Sequence, residues 1–283
     1  MTITPWASRP LDGGVNQALS ALEAGMHVAL IATFDLKTCK VSDAVEEVLA
    51  RPELQAFDYI PVCDRDNIVG VLHRPRQGQD LTVALVREAM QPIHESMLIP
   101  ADASLLSFVE YADMTSYRLV TNGQRIIGIV TLSDLQKFAV RPVLFSLITA
   151  VELLLAEWVR QKYPNEKDWL ATLSEGRSKL IEQRWLEWSP GNMAMDKLSV
   201  SEFCDKRELA LDLGAFSNKS AARKKLKYVE WLRHAVMHSG DYALTPENAQ
   251  LIACTVRFAR ELIQMLQDTL EIPNAWESEV YGK

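Results

Sequence analysis

Two short blocks of alternating apolar and polar residues recur in the first half of the chain at an interval of 58 residues. Tyr59-Ile60-Pro61-Val62 is echoed by Tyr117-Arg118-Leu119-Val120, and Ile68-Val69-Gly70-Val71-Leu72 by Ile126-Ile127-Gly128-Ile129-Val130. Between the blocks stand Asp64-Arg65-Asp66-Asn67 and Asn122-Gly123-Gln124. Runs of β-branched residues around Asp, Asn and Gly predict a hairpin in each copy. Short apolar segments at 39–41 and 97–99 predict a strand upstream of each hairpin. Helical stretches are expected to follow from near Ser42 and Asp102, both suited to an N-cap. Each unit therefore reads as strand, helix, strand, strand and a closing helix, and repeated units of this kind share a core.

From Pro142 onward the period changes. Leu144, Leu147, Ile148, Val151, Leu154, Leu155, Trp158 and Val159 follow helical spacing, and Pro164-Asn165 ends the run. Residues 169–188 predict one or two further helices, broken at Pro190-Gly191, and 201–213 another. A long helix is expected from Asn218 or Ser220 through Val236, stopped by Ser239-Gly240. Pro246 suits the first turn of a last helix that runs past Leu266. The expected fold is an α+β repeat pair over residues 1–140 and an all-α helical bundle over residues 141–283. Within the first part, residues 1–24 read as an N-terminal extension, with copies at about 25–80 and 83–140.

Composition narrows the function classes. Of 283 residues, 48% are hydrophobic and 24% charged, a globular balance, and the net charge of -7 excludes a general basic coat for duplex DNA. Cys39, Cys63, Cys204 and Cys254 lie far apart without a CxxC, so reduced, mostly buried thiols in a cytoplasmic protein are expected. Residues 1–10 lack the apolar core of a signal peptide. Glu152 and Glu157 within the most apolar stretch argue for a buried helix and against a membrane span. Charge is uneven: 213–229 holds Lys219, Arg223, Lys224, Lys225 and Lys227 and no acid. Such a patch can collect an anion in an acidic protein, or can be a solvated helix face.

The repeat resembles the CBS domain, which occurs as intramolecular pairs. The second copy is the better match: Met90-Gln91-Pro92 opens it, and Gly128-Ile129-Val130-Thr131-Leu132-Ser133-Asp134 fits the family's Gly-h-h-Thr/Ser-x-x-Asp signature. The resemblance implies an adenosine nucleotide (AMP, ADP, ATP or a cyclic adenylate) as a regulatory ligand. Asp134 would hold the ribose hydroxyls, Thr131 and Ser133 would lie near the phosphates, and Thr33 and Thr38 would come from the start of the other copy. A carboxylate can accept two hydrogen bonds from a cis-diol, whereas Arg cannot accept any. The first copy has His73 in place of Thr131 and Arg76 in place of Asp134, so its site is expected to be empty or to take only phosphate. The plain alternative for residues 131–134 is a helix cap.

Arg233, His234 and His238 stand at the end of the helix that begins in the basic patch. Arg grips phosphate and His passes protons near neutral pH. Together they can cleave RNA without metal, the 2′-OH attacking phosphorus and Lys219, Arg223, Lys224, Lys225 and Lys227 gathering the backbone. Arg233-His234-Ala235-Val236-Met237-His238 resembles the HEPN signature, Arg, a polar residue, three residues, then His. That resemblance implies a metal-independent, homodimeric endoribonuclease of the kind found in toxins and phage defence. On an ideal helix, however, Arg233 and His238 lie about 140° apart, so they converge only if the helix end loosens or if a second subunit supplies one of them. Glu230, His234 and His238 share a face, which leaves a metal site open as a rival. A cap for His238 with an ion pair for Arg233 leaves a non-catalytic reading, in which an adenine-nucleotide sensor or scaffold docks a partner or RNA.

Overall fold

Both hairpins form, and they form in the same register. The structure, a computed structural model, describes residues 14–75, 84–191, 196–238 and 241–270. These begin with α1 (Gly14–Gly25). The first copy holds β1 (Cys39–Lys40), α2 (Val45–Ala50), β2 (Tyr59–Asp64) and β3 (Asn67–His73). After α3 (Val86–Ala89) and β4 (Gln91–Pro92) comes the second copy, with β5 (Leu98–Pro100), α4 (Leu105–Glu110), β6 (Tyr117–Asn122) and β7 (Arg125–Thr131). Antiparallel pairs run from Tyr59 opposite His73 to Asp64 opposite Asn67, and from Tyr117 opposite Thr131 to Asn122 opposite Arg125. Even the bulges repeat, after Val62 in one copy and Val120 in the other. β1 and β5 lie parallel to β2 and β6, as a helical crossover between strands requires.

The helix starts differ from the sequence expectation. α2 begins at Val45 and α4 at Leu105, the latter capped by Ser104, whose Oγ accepts from the Ser107 N–H at 3.4 Å. The residues between strand and helix are used in a turn instead: the Asp43 carboxylate accepts the Lys40 N–H and an Arg51 N–H, which holds it below the usual carboxylate range. Asp102 is likewise a turn residue before α4. The closing helix of the second copy is a single 3-10 turn, Leu132–Gln136. Its counterpart in the first copy, with Arg76, lies outside the described residues.

The leading segments of the two copies are exchanged. β4 precedes the second copy yet pairs with β3 of the first, Gly70 opposite Pro92 and Val71 opposite Gln91. Thr33 lies at the start of the first copy, before β1, yet bridges Ile129 of β7. A shift of 58 residues maps one crossing onto the other. Both demand glycine: a Cβ on Gly70 would lie 2.8 Å from the Gln91 carbonyl oxygen, and one on Gly128 2.9 Å from that of Thr33. The apolar cluster of Val71, Met97, Tyr117, Leu119 and Ile129 draws on both copies, so they form one unit.

That unit spans Met26–Ala139; Met1–Gly25 and Val140–Lys283 form the other. The expected N-terminal extension therefore contributes a helix to the second unit, where α1 packs on the helix Val140–Lys162 and Glu23 pairs with Arg260 at 2.9 Å. The second unit is helical: α5 (Val140–Lys162), α6 (Glu166–Leu170), α7 (Glu175–Trp188), α8 (Phe203–Asp212), α9 (Lys219–Met237) and α10 (Pro246–Leu270). α5 is long and apolar enough to cross a membrane by length and composition, yet most of it is buried against α8, α9 and α10. α9 is capped by Asn218, as expected; the expected stop at Ser239-Gly240 lies outside the described residues. Of the four free thiols only Cys39 is buried, and burial pushes it up to about 11; Cys254 is exposed.

Candidate functional site

The crossing at Gly128 builds the candidate cleft of the repeat unit. Thr33 donates its N–H to the Ile129 carbonyl at 2.8 Å and accepts from the Ile129 N–H at 3.0 Å. This lays the start of the first copy beside the end of β7, where Thr131, Ser133 and Asp134 follow within five residues. Side chains at i and i+2 of a strand share a face, so Thr131 lies one step along from the position that Thr33 bridges. Phe34, about half exposed, lies against Gly128. Ser133 and Thr38 are exposed, and among the described residues no hydrogen bond joins Thr38 to the others.

Asp134 is buried and fully engaged. Its Oδ2 accepts the Thr131 N–H at 2.6 Å and the Thr131 hydroxyl at 3.1 Å. Its Oδ1 pairs with Lys137 Nζ at 2.7 Å. Lys137 also donates to the Ile31 carbonyl and so ties the end of the second copy to the start of the first. The helix-cap reading of residues 131–134 thus describes Oδ2, and only Oδ1 can be released to a ligand, by displacement of Lys137. Sequence reasoning missed Lys137, although its position three residues after Asp134 was a signal for an ion pair on one helical turn.

The symmetry-related place in the first copy is filled differently. His73 stands where Thr131 does, its ring edge-on to Tyr59 and to Tyr117, with centroids 5.3 and 5.4 Å away. Burial lowers the His73 pKa, and a hydrogen bond to Gln91, the counterpart of Thr33, partly opposes this. Tyr117 is pushed up to about 12, first by burial and then by Tyr59.

In the helical unit α9 separates the residues of the Arg-x4-His motif. Arg233 turns inward, its Nε 3.4 Å from Glu152 on α5. His234 and His238 are exposed. His238 is the C-cap of α9 and its backbone is extended, although its N–H still donates to the His234 carbonyl at 3.2 Å. Within one chain the structure therefore does not bring Arg233 and His238 together. Instead Arg141, in the first turn of α5, caps the end of α9: it donates to the carbonyls of Ala235, Val236 and His238 and stacks over the Tyr242 ring at 4.9 Å. Burial pushes Tyr242 up to about 12.

The remaining charges are largely paired. Glu152 also accepts from Lys206 at 3.0 Å, and Lys206 is 5% exposed. Glu230 is taken up by Arg207, so it is not turned to the two histidines, and among the described residues no cluster of His, Cys, Asp and Glu is placed to hold a metal. Arg223 makes two bonds to Glu208, at 2.8 and 3.2 Å, which hold the Glu208 carboxyl below its usual range. Lys219 reaches Asp212 only at 3.9 Å. Lys224, Lys225 and Lys227 are exposed, Lys225 with its ammonium 4.9 Å from the Phe258 ring centre.

Searches of protein-family models and of curated proteins return no match to this chain. Among solved structures, the chain is similar over 44% of its length, with 20% identity and a TM-score of 0.34, to the CBS domain of a bacterial CNNM/CorC family Mg2+ transporter in complex with ATP, of which 94% is covered. A CBS domain protein of unknown function from Thermoplasma acidophilum matches over 43% of this chain and 75% of its own, at 22% identity and a TM-score of 0.34. CBSX2 in complex with AMP matches over 42% and 97%, at 19% identity and a TM-score of 0.33.

Proposed function

We propose that residues 26–139 form a CBS pair that senses an adenosine nucleotide and that the helical unit it controls binds RNA. The exchange of leading segments carries this reading. It sets Thr33 beside the Gly128–Asp134 signature and leaves the pseudo-symmetric place to His73, so one cleft of the two is suited to a ribose. The ribose takes Oδ1 of Asp134 from Lys137, and the released ammonium turns to the phosphates, where a cation is favoured. Thermal shift with adenosine and with ATP tests this exchange, since a ligand that binds the folded state raises the melting temperature. Lys137→Met is expected to increase the shift given by adenosine and to reduce the shift given by ATP. Equal changes for both ligands would contradict it.

For the helical unit the exposed Lys224, Lys225 and Lys227 support RNA binding, and the engagement of Arg233 by Glu152 argues against cleavage by a single chain. A second reading, metal-independent cleavage in a homodimer, is supported by one observation: His234, His238 and Lys227 share the exposed face of α9. Incubation of RNA with the full chain in EDTA separates the two. Products ending in a 2′,3′-cyclic phosphate that vanish with His238→Ala would establish the nuclease, and intact RNA with nucleotide present would leave the binding protein.

A further inference from the structure

A groove of about 470 Å3 lies between the first half of α9 and α10. Its walls combine two chemistries. Tyr228 and Phe258 supply aromatic surface, with Leu251 beside them, while Lys224 and Lys225 stand at the rim. Lys225 is held over the Phe258 ring. Both aromatic side chains are only partly buried, although the surrounding α9 and α10 positions Leu226, Val229, Ile252 and Val256 are fully buried. The groove is thus a built feature of two packed helices, not a gap in the core. One carboxylate, Glu247, also lines it, so the two lysines leave a net positive rim.

We propose that this groove takes one unstacked nucleotide of a single-stranded RNA, the base against Tyr228 and Phe258 and its flanking phosphates on Lys224 and Lys225. The volume falls in the range of small-ligand sites. Aromatic walls and a basic rim are the pairing that single strands require, because every base has a flat face and every link a charge. A helical peptide would use the apolar wall but would leave the two lysines without a complement, and a duplex would hide its bases from the aromatic rings. The inference rests on the RNA-binding reading of the helical unit but not on cleavage.

Fluorescence anisotropy with the full chain tests it, using a labelled 2′-O-methyl 12-mer, which cannot be cut through its 2′ position, and an abasic strand of equal length. The wild type is expected to bind the 12-mer more tightly than the abasic strand. Tyr228→Ala and Phe258→Ala should each weaken the 12-mer by roughly 5- to 100-fold and leave the abasic strand unchanged, with Tyr228→Phe retaining binding as a guard against misfolding. Lys224→Gln and Lys225→Gln should weaken both strands and flatten the salt dependence. Gly176→Ala, on α7 and outside the groove, should leave both strand affinities unaltered. Equal binding of the two strands, full affinity in Tyr228→Ala, or binding of free AMP but not of the 12-mer in the groove would overturn the proposal. RNA binding that survives all four groove substitutions would overturn it while leaving RNA binding by the helical unit intact.

Discussion

Tyr59 and Tyr117 stand 58 residues apart in the chain, and their rings meet with centroids 4.6 Å apart and planes inclined at 33°. They occupy the same position of the two copies, each opening its hairpin opposite the residue that closes it. In one copy that closing residue is His73 and in the other Thr131. The contact therefore marks the pseudo-two-fold relation inside the unit, and the His/Thr difference marks where it breaks. One cleft keeps a hydroxyl beside a carboxylate; the other is packed with an imidazole set edge-on against two phenols.

The broken symmetry has a pH consequence. His73 has its pKa lowered in the folded state, chiefly by burial, from an ordinary value near 6.5. The unfolded chain therefore takes up a proton that the folded chain resists. The stability associated with neutral His73 is fully present above about pH 6.5 and is lost as the pH falls toward the lowered folded value. Urea titrations at pH 7.5 and pH 5.5 are expected to show a drop in midpoint that shrinks in His73→Gln. An undiminished drop in that variant would place the acid sensitivity elsewhere.

Gly70 and Gly128 admit the two crossing segments, so a methyl group at either position should push the crossing strand away. Gly128→Ala is expected to cost about 1–3 kcal/mol, the scale of overpacking, and to weaken nucleotide binding by displacing Thr33. Gly176→Ala, in the exposed first turn of α7 with nothing within 4 Å, serves as the control. It should be neutral or stabilising by up to about 1 kcal/mol. Chemical denaturation with both variants checks the contrast.

Glu152 joins three helices: it accepts from Lys206 on α8 at 3.0 Å and forms an ion pair with Arg233 on α9 at 3.4 Å. Lys206 is buried with one further acceptor, the Ser201 carbonyl at 2.7 Å. Removing the carboxylate leaves a buried cation short of a partner. Glu152→Ala should therefore cost about 3–5 kcal/mol, and the double variant Glu152→Leu with Lys206→Met should recover much of it. A small loss in the single variant, measured by thermal unfolding, would mean that water reaches Lys206.

Much of this architecture was legible in the residue pattern because strand and turn signals are local. Tyr59, Gly70, Tyr117 and Gly128 recur at a fixed offset, and Asn218 and Pro246 sit where helix starts need them. α2 starts later than its residue pattern suggests because Asp43 is drawn into a turn with Lys40 and Arg51, and α4 does so because Ser104, not Asp102, supplies the cap. At the candidate cleft, Thr131, Ser133 and Asp134 were visible as a signature, and Thr33 through the resemblance. Lys137 at Oδ1 depends on where the Ile31 carbonyl falls, which no local pattern encodes. In the helical unit the inward turn of Arg233 follows from the burial of Val229, Leu232 and Val236 around it. The partner of Arg233, Glu152, lies 81 positions earlier in the chain. Tyr228 and Phe258 stand 30 positions apart in the chain and share a groove only once α9 and α10 are brought side by side.

The central claim is that one cleft of the repeat pair binds an adenosine nucleotide through Asp134. Isothermal calorimetry of AMP, ADP and ATP against the full chain and its Asp134→Ala variant tests it most directly. One binding event per chain is predicted, weakened in Asp134→Ala by about 1–3 kcal/mol, the range for hydrogen bonds to a charged group. No heat of binding for any of the three at millimolar ligand, or identical affinities for the wild type and Asp134→Ala, would contradict it.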